Sequence, residues 1–179
     1  MSGLRTGCAI ASMVLAACGS GSLGSVQGHQ VSASHAYFFN QGTNNAVFLA
    51  ASDMANLCEV LKGTGRPGGS YAMMATGLAN WNGSSSDPAV PGTYVQDPES
   101  TAPGLYSDTV VQSGYGCVAY SAPQAGSGNV RIESFGGFQT GAHLVVDVDL
   151  KFGDDRLAGH VDAVYCGQFQ PPSAGFCGP

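Results

Sequence analysis

The C-terminal part of the sequence contains the pattern that most restricts the fold. Residues 144–152, LVVDVDLKF, alternate strictly between apolar and polar side chains after Val145. A period of two is that of a β-strand with one buried face. After GDDR, residues 157–166, LAGHVDAVYC, resume the alternation. A tight turn at Asp154–Asp155 would join the two segments into an antiparallel hairpin with both apolar sets on one side.

This turn predicts which residues lie opposite each other in the hairpin. It places Phe152 opposite Leu157, Asp149 opposite His160 and Asp147 opposite Asp162. The inner face of the returning strand would then consist of Leu157, Gly159, Val161, Ala163 and Tyr165.

The outer face of the hairpin gathers three carboxylates and one imidazole, from Asp147, Asp149, His160 and Asp162. Such a set could coordinate Ca²⁺ or a transition metal, or act as an acid–base pair. The solvent-exposed face of an antiparallel sheet commonly carries the same residue types without binding a ligand. We therefore interpret these side chains as a solvated surface, and we predict neither a bound metal nor a cofactor.

Several other segments read as short strands separated by turns rich in Gly, Pro and Asn. They are residues 35–40, 45–51, 71–78, 93–96, one or two strands within 109–122, and 130–135. One helix is predicted over about 53–62, because Met54, Leu57, Cys58 and Leu61 recur at helical spacing. Ser52 or Asp53 can cap this helix and Gly63 can end it.

These elements predict a mainly β fold. We expect an antiparallel β-sandwich or a flattened β-barrel of about seven to nine strands, with the short helix packed across an end or a face. The sequence does not distinguish the sandwich from the barrel. Charged residues make up only 10% of the chain, against about 25% in an average soluble domain, which also disfavours a helical protein with a charged surface.

The N-terminus has the layout of an export signal. Residues 1–7 carry one Arg, and residues 8–17, CAIASMVLAA, form an apolar run too short to span a bilayer. The run ends in Leu15-Ala16-Ala17-Cys18, which resembles the lipobox of bacterial lipoproteins. This resemblance implies cleavage before Cys18, diacylglycerol on its sulfur and a further acyl chain on the new amino terminus. An ordinary secretory signal with an unmodified cysteine is the alternative.

The resemblance also predicts the organisation and location of the chain. Residues 1–17 would be the signal peptide, residues 18–34 a lipidated cysteine with a flexible Gly/Ser-rich tether, and residues 35–179 a single β-rich domain. Many such lipoproteins carry an Asp after the cysteine when they stay in the inner membrane. Gly19 stands there in this chain, which implies the outer membrane of a two-membrane cell, at its periplasmic face or at the cell surface.

Four further cysteines remain for the exported domain, namely Cys58, Cys117, Cys166 and Cys177. An even number in an oxidising compartment favours two disulfides. We favour Cys58–Cys117 with Cys166–Cys177, because the short C-terminal loop is the easiest to close, and Cys58–Cys166 is the main alternative. A zinc site is disfavoured, because the chain contains no C-x-x-C pair.

The C-terminal half also resembles a group of small exported bacterial lipoproteins. The likeness lies in SGNVRIESF, in VDVDLKFGDDRLAGHVDAVYC and in a final cysteine. That group often ends in a strand of the form GxFDAxxC, which Gly159, Val161, Asp162, Ala163 and Cys166 match here, with Val161 in the usual aromatic place. The group has no assigned chemistry, so the resemblance implies no catalytic residues.

The function predicted from these observations is a non-catalytic one. We expect a lipid-anchored envelope protein with a binding or structural role, in contact with the membrane through its anchor and with an envelope protein or a glycan as partner. Aromatic residues in or near loops could stack on sugars: Trp81, Tyr94, Tyr106, Tyr115 and Tyr120. The alternatives are a carrier with a small apolar ligand inside a lipocalin-like barrel, and a glycan or cell-wall hydrolase.

Composition argues against a nucleic-acid partner. The formal net charge is −6, and the Lys and Arg residues are scattered rather than clustered. The sequence also lacks a G-x-S-x-G motif, which disfavours a serine hydrolase of the common α/β type.

Overall fold

The computed structural model describes residues 21–42 and 46–169, and this part of the chain is mainly β. The strands are β1 Ser22–Val26, β2 His29–Ser32, β3 His35–Gln41, β4 Ala46–Ser52, β5 Ser70–Trp81, β6 Ser86–Asp87, β7 Gly92–Gln96, β8 Gly104–Tyr115, β9 Val118–Ser121, β10 Ser127–Phe135, β11 His143–Phe152 and β12 Asp155–Gln168. One short helix, α1, spans Leu57–Leu61. The predicted mainly β fold with one short helix is confirmed.

Eight of these strands close into a β-barrel, so the structure is a barrel rather than an open sandwich. The order around the ring is β11-β10-β7-β8-β5-β4-β3-β12, and β12 pairs with β11 to close it. Neighbours are antiparallel except for the pairs β12–β3 and β7–β8, which are parallel. The remaining strands extend the sheet: β1 and β2 next to β12, β6 on β5, and β9 on β8.

The barrel interior is filled by apolar side chains from the inward positions of every strand in the ring. Phe38, Leu49, Met74, Tyr94 and Leu144 are among the residues with no exposed surface. The hydroxyl of Tyr94 donates to the carbonyl of Val90 at 2.9 Å, which satisfies its one polar atom. Burial raises the pKa of this phenol above its ordinary value. The alternating strand pattern thus produces one continuous core.

Four aromatic rings pack together in this core. Phe38 has ring-centre distances of 5.9 Å to Phe135, 6.2 Å to Phe138 and 5.3 Å to Tyr165. The rings meet at tilted or edge-to-face angles, which are the favourable arrangements for aromatic pairs. Through these ring contacts, the loop after β10 packs against β3 and β12.

Residues 21–34 are not a flexible tether, and that prediction is wrong. β1 and β2 form a hairpin whose Leu23, Val26 and Val31 are buried in the barrel core. The turn residues Gln27 and Gly28 have φ of 51° and 78°, as a two-residue type I′ turn requires. Because this segment is rich in Gly and Ser, its sequence did not predict the turn or the three buried apolar side chains. Cys18 lies outside the described residues.

The terminal hairpin exists, but its predicted register is wrong by two residues. Phe152 pairs with Asp155, Leu150 with Leu157 and Asp147 with His160. The turn is centred one residue earlier than predicted, on Gly153 and Asp154, because Gly153 adopts the left-handed φ of 66° that a tight hairpin favours. A shift by two residues keeps every side chain on its face, so the predicted inner and outer faces remain.

The helix is shorter than predicted. It begins after Asn56, which makes no side-chain cap, and Gly63 follows its end with φ of 72°. Ser52 belongs instead to β4, where its buried hydroxyl donates to the carbonyl of Ala72 at 2.9 Å. The predicted caps Ser52 and Asp53 are therefore wrong, and Gly63 as the residue that ends the helix is confirmed.

Helix α1 covers part of the outer surface of the barrel. Its Leu57 and Leu61 pack with Phe39, Ala50 and Met73 in a second apolar cluster, outside β3, β4 and β5. The helix is also held by a disulfide between Cys58 and Cys166 of β12, with Cα atoms 6.0 Å apart. The disulfide therefore links α1 to the sheet of the barrel.

The favoured cysteine pairing is wrong. Cys58 pairs with Cys166, so neither Cys58–Cys117 nor Cys166–Cys177 forms. Loop length is a weak guide, because closure entropy grows only slowly with the number of residues, whereas the β12–β3 pairing brings Cys166 beneath α1. Cys117 is also disulfide-bonded, and Cys177 lies outside the described residues.

Candidate ligand-binding groove

A groove of about 480 Å³ lies on the outer surface of β4, β5 and β8, beside the area that α1 covers. Its floor consists of small outward-facing residues: Ala46, Ala75, Gly77 and Ala79. Larger side chains form its walls. Small residues between large neighbours leave an open concave surface, and such clefts are where small ligands bind most often.

The strand register explains why the floor of the groove lies below the side chains that form its walls. Gly77 of β5 lies between Phe48 of β4 and Asp108 of β8 in the paired strands. A Cβ atom added to Gly77 would meet only the Oε1 atom of Gln41, at 3.8 Å, and the φ of Gly77 lies outside the left-handed region. A side chain at position 77 would therefore fill the groove without straining the backbone.

Three aromatic residues line the groove: Phe48, Trp81 and Tyr106. The indole Nε1 of Trp81 donates to the carbonyl of Thr101 at 3.2 Å, which fixes the orientation of the ring. The ring of Tyr106 lies over Gly104, where an added Cβ would approach the phenol oxygen to 2.8 Å. Gly104 is the strand partner of Trp81, so the two aromatic side chains share one end of the groove.

The charged residues of the lining are both acidic, Asp97 and Asp108. The Oδ1 atom of Asp108 accepts a hydrogen bond of 2.7 Å from Nε2 of Gln124, which holds this exposed carboxylate in place. Gln41 and Ser100 add an amide and a hydroxyl to the lining. The groove thus combines an apolar floor, aromatic walls and two acidic side chains.

Of the five aromatic residues considered for stacking on sugars, Trp81 and Tyr106 line this groove. Tyr94 is wholly buried in the barrel, so it is not available for stacking on a ligand. Tyr115 and Tyr120 are 60% and 64% exposed and do not line this groove.

Sequence reasoning missed several of the groove residues, namely Phe48, Gly77, Asp97 and Asp108. One signal for them was present in the sequence. In the second half of β5 the outward positions are Ala75, Gly77, Ala79 and Trp81, a run of small residues that ends in an aromatic one.

The polar face of the terminal hairpin forms a network of surface pairs. Nδ1 of His143 lies 2.7 Å from Oδ1 of Asp162, and Nδ1 of His160 lies 3.0 Å from Oδ1 of Asp147. Arg156 donates two hydrogen bonds to Asp149, at 2.8 and 2.9 Å. Of the four residues considered as a metal set, only Asp147 and His160 contact each other in this way.

Glu133 of β10 stands near the pair formed by Asp147 and His160. Ligand atoms of these three residues lie within 4.8 Å of one another, on the solvent side of the sheet. The side chains are 39–56% exposed, and His160 is already engaged with Asp147. This arrangement is that of a solvated polar network.

The pairing on this face makes part of the stability dependent on pH. The hydrogen bond with His160 lowers the pKa of Asp147, and the hydrogen bonds from Arg156 lower the pKa of Asp149. A carboxyl group whose pKa is lowered in the folded state stabilises the fold at pH values above its unfolded pKa, about 3.9. That stabilisation is lost as the pH falls through the folded pKa. We expect Asp149→Asn to lower the melting temperature slightly at pH 7 and by less as the pH falls through the folded pKa of Asp149.

Thermal unfolding at several pH values measures this difference. The matched control is Glu99→Gln, which changes an exposed carboxylate in the loop between β7 and β8. An equal deficit of Asp149→Asn at pH 7 and pH 2 would show that the carboxylate charge is not responsible.

In the part of the chain that the structure describes, no helix is long and apolar enough to cross a membrane. Comparison of the sequence and the structure with protein-family models, curated proteins and solved structures gave no match.

Proposed function

We propose that the chain is a lipid-anchored protein of the bacterial cell envelope, and that it binds a small ligand in the groove on β4, β5 and β8 without chemical turnover. The groove, with its floor of small residues between aromatic walls, is the observation that carries the binding role. The lipobox-like Leu15-Ala16-Ala17-Cys18 supports the anchor and an outer-membrane location. The Cys58–Cys166 disulfide is in keeping with export, because disulfides persist mainly outside the reducing cytosol.

The outer groove supports the binding role better than the barrel interior does. Apolar side chains such as Phe38, Leu49 and Met74 occupy the interior and are fully buried. A lipocalin-like carrier would need an internal cavity of several hundred cubic ångströms among such positions.

A glycan hydrolase is a second candidate, favoured by the presence of two carboxylates, Asp97 and Asp108, in the same groove. Glycosidases place a pair of carboxylates across the scissile bond. Hydrolysis of a cell-wall glycan by the wild type, abolished in Asp108→Asn, would favour this candidate over the binding role.

The anchor is tested by replacing its sulfur. Two or three acyl chains hold a protein firmly on a membrane, whereas a chain without them has no such attachment. We expect Cys18→Ser to move the protein from the membrane fraction to the soluble fraction of its host, measured by fractionation and immunoblotting.

Cys8→Ser is the matched control, because Cys8 precedes the predicted cleavage site and should have no effect on anchoring. Intact-mass analysis of the wild type gives the second readout. A mature chain that retains Met1, or that begins anywhere other than at an acylated Cys18, would contradict the anchor.

The binding role is tested by filling the groove. We expect the wild type purified from its host to carry a small molecule that native mass spectrometry detects, and we expect Gly77→Leu to lose it. The physical reason is that the leucine side chain would occupy the space above the floor.

Thr93→Leu is the matched control, because Thr93 is an exposed strand residue of β7 outside the groove. Melting temperatures of both variants close to that of the wild type would show that folding is intact. The same bound species in wild type and Gly77→Leu would place its site elsewhere.

A further inference from the structure

The geometry of the groove points to the chemical class of its ligand. We infer that the groove binds an organic ammonium ion, a primary amine or a quaternary ammonium group on a small apolar body. This inference rests on the proposed binding role of the groove and goes beyond it by naming what is bound.

The charge of the lining is the first argument. Asp97 and Asp108 are the charged residues of the lining, and both carry negative charge at neutral pH. The five Lys and Arg residues of the described chain all lie elsewhere: Lys62, Arg66, Arg131, Lys151 and Arg156. A phosphate or carboxylate ligand would meet like charge without a cationic partner, which costs binding energy. A cation meets two carboxylates instead.

The aromatic walls are the second argument. Phe48, Trp81 and Tyr106 line the same groove as the two carboxylates, and one face of the Phe48 ring is stacked on Phe169 with ring centres 4.0 Å apart. The face of an aromatic ring attracts a cation, and recognition of quaternary ammonium groups commonly uses such rings. Trp81 gives the strongest interaction of this kind, and its hydrogen bond to Thr101 holds the ring in place before a ligand arrives.

The floor is the third argument. Ala46, Ala75, Gly77 and Ala79 offer a surface of methyl groups and backbone, which suits the carbon atoms that surround an alkylated ammonium group. A neutral sugar would instead need matched hydrogen-bond donors and acceptors above this floor. Two polar groups lie beside the floor and both are acceptors: Oε1 of Gln41 lies 3.8 Å from a Cβ atom placed on Gly77, and the carboxylate of Asp108, the strand partner of Gly77, is held by Gln124.

The sole tryptophan of the chain makes the inference directly testable. Trp81 is that residue and it lines the groove, so its fluorescence reports on groove occupancy without a label. We expect choline to change the emission of the purified full chain in a saturable manner. The neutral isostere 3,3-dimethyl-1-butanol has the same shape without the charge, and we expect it to bind at least about tenfold more weakly.

Two variants separate charge from shape. Asp108→Asn keeps the size of the side chain and removes its charge, and we expect it to weaken choline binding about fivefold to tenfold without weakening the isostere. Asp162→Asn removes an exposed carboxylate on the other side of the barrel and serves as the control. Choline binding should also weaken as the salt concentration rises, because ions screen exposed charges.

The outcomes distinguish this inference from the proposed function. Tighter binding of choline than of the isostere, lost in Asp108→Asn, supports the inference. Equal binding of choline and the isostere, tighter binding of N-acetylglucosamine, or no response to choline overturns it. In these last cases a small molecule that Gly77→Leu loses in native mass spectrometry would still support the binding role.

Discussion

Replacing both Cys58 and Cys166 by alanine is expected to lower the free energy of unfolding by about 2–5 kcal/mol. The disulfide closes a loop with a sequence separation of 108 residues, so it restricts a long stretch of the unfolded chain. It also holds α1 against the outer surface of the barrel, where Leu57 and Leu61 cover Phe39 and Met73. Denaturant unfolding of the double variant measures the loss.

Glu59→Ala is the matched control for this prediction, because Glu59 is an exposed residue of the same helix. We expect it to change the free energy of unfolding by less than about 0.5 kcal/mol. An unchanged unfolding midpoint in the double cysteine variant would mean that apolar packing alone holds the helix in place.

The second large effect is expected in a segment that the sequence presents as a linker. Leu23→Ala should lower the free energy of unfolding by about 2–5 kcal/mol, the usual cost of truncating a buried leucine. Leu23 is only 4% exposed and packs in the barrel core with Val26 and Val31. A flexible tether would tolerate the same change with no loss of stability.

Ser25→Ala tests the same strand at an outward position and should be close to neutral. Hydrogen exchange gives an independent readout, because the amides that pair β1 with β2 should be protected in the wild type. Equal stability of Leu23→Ala and Ser25→Ala, with rapid exchange over residues 22–32, would restore the tether interpretation.

The carboxylates of the groove differ from those of the terminal hairpin in the partners that they contact. On the terminal hairpin each of Asp147, Asp149 and Asp162 contacts a basic side chain of the chain itself. In the groove, Asp108 is oriented by the neutral amide of Gln124. The hairpin carboxylates are therefore hydrogen-bonded to basic side chains of the chain itself, whereas the groove carboxylate Asp108 is hydrogen-bonded to a neutral amide.

The local sequence pattern was sufficient to predict the faces of the terminal hairpin and the position of the helix. The strict alternation over 144–152 defined which side chains of the terminal hairpin face the core, because a strand repeats every two residues. Helical spacing placed α1 within 53–62, and Gly63 marked its end. The hairpin register escaped prediction only because Gly153 moved the turn by one position.

Features that join distant segments required the folded barrel. The pairing of Cys58 with Cys166 depends on β12 lying next to β3, which no spacing between cysteines reveals. The groove depends on β4, β5 and β8 aligning Phe48, Gly77 and Asp108 in one row, although these residues lie up to 60 positions apart in the numbering. A periodic pattern reports which face a residue occupies; only the pairing of strands reports which residues share that face.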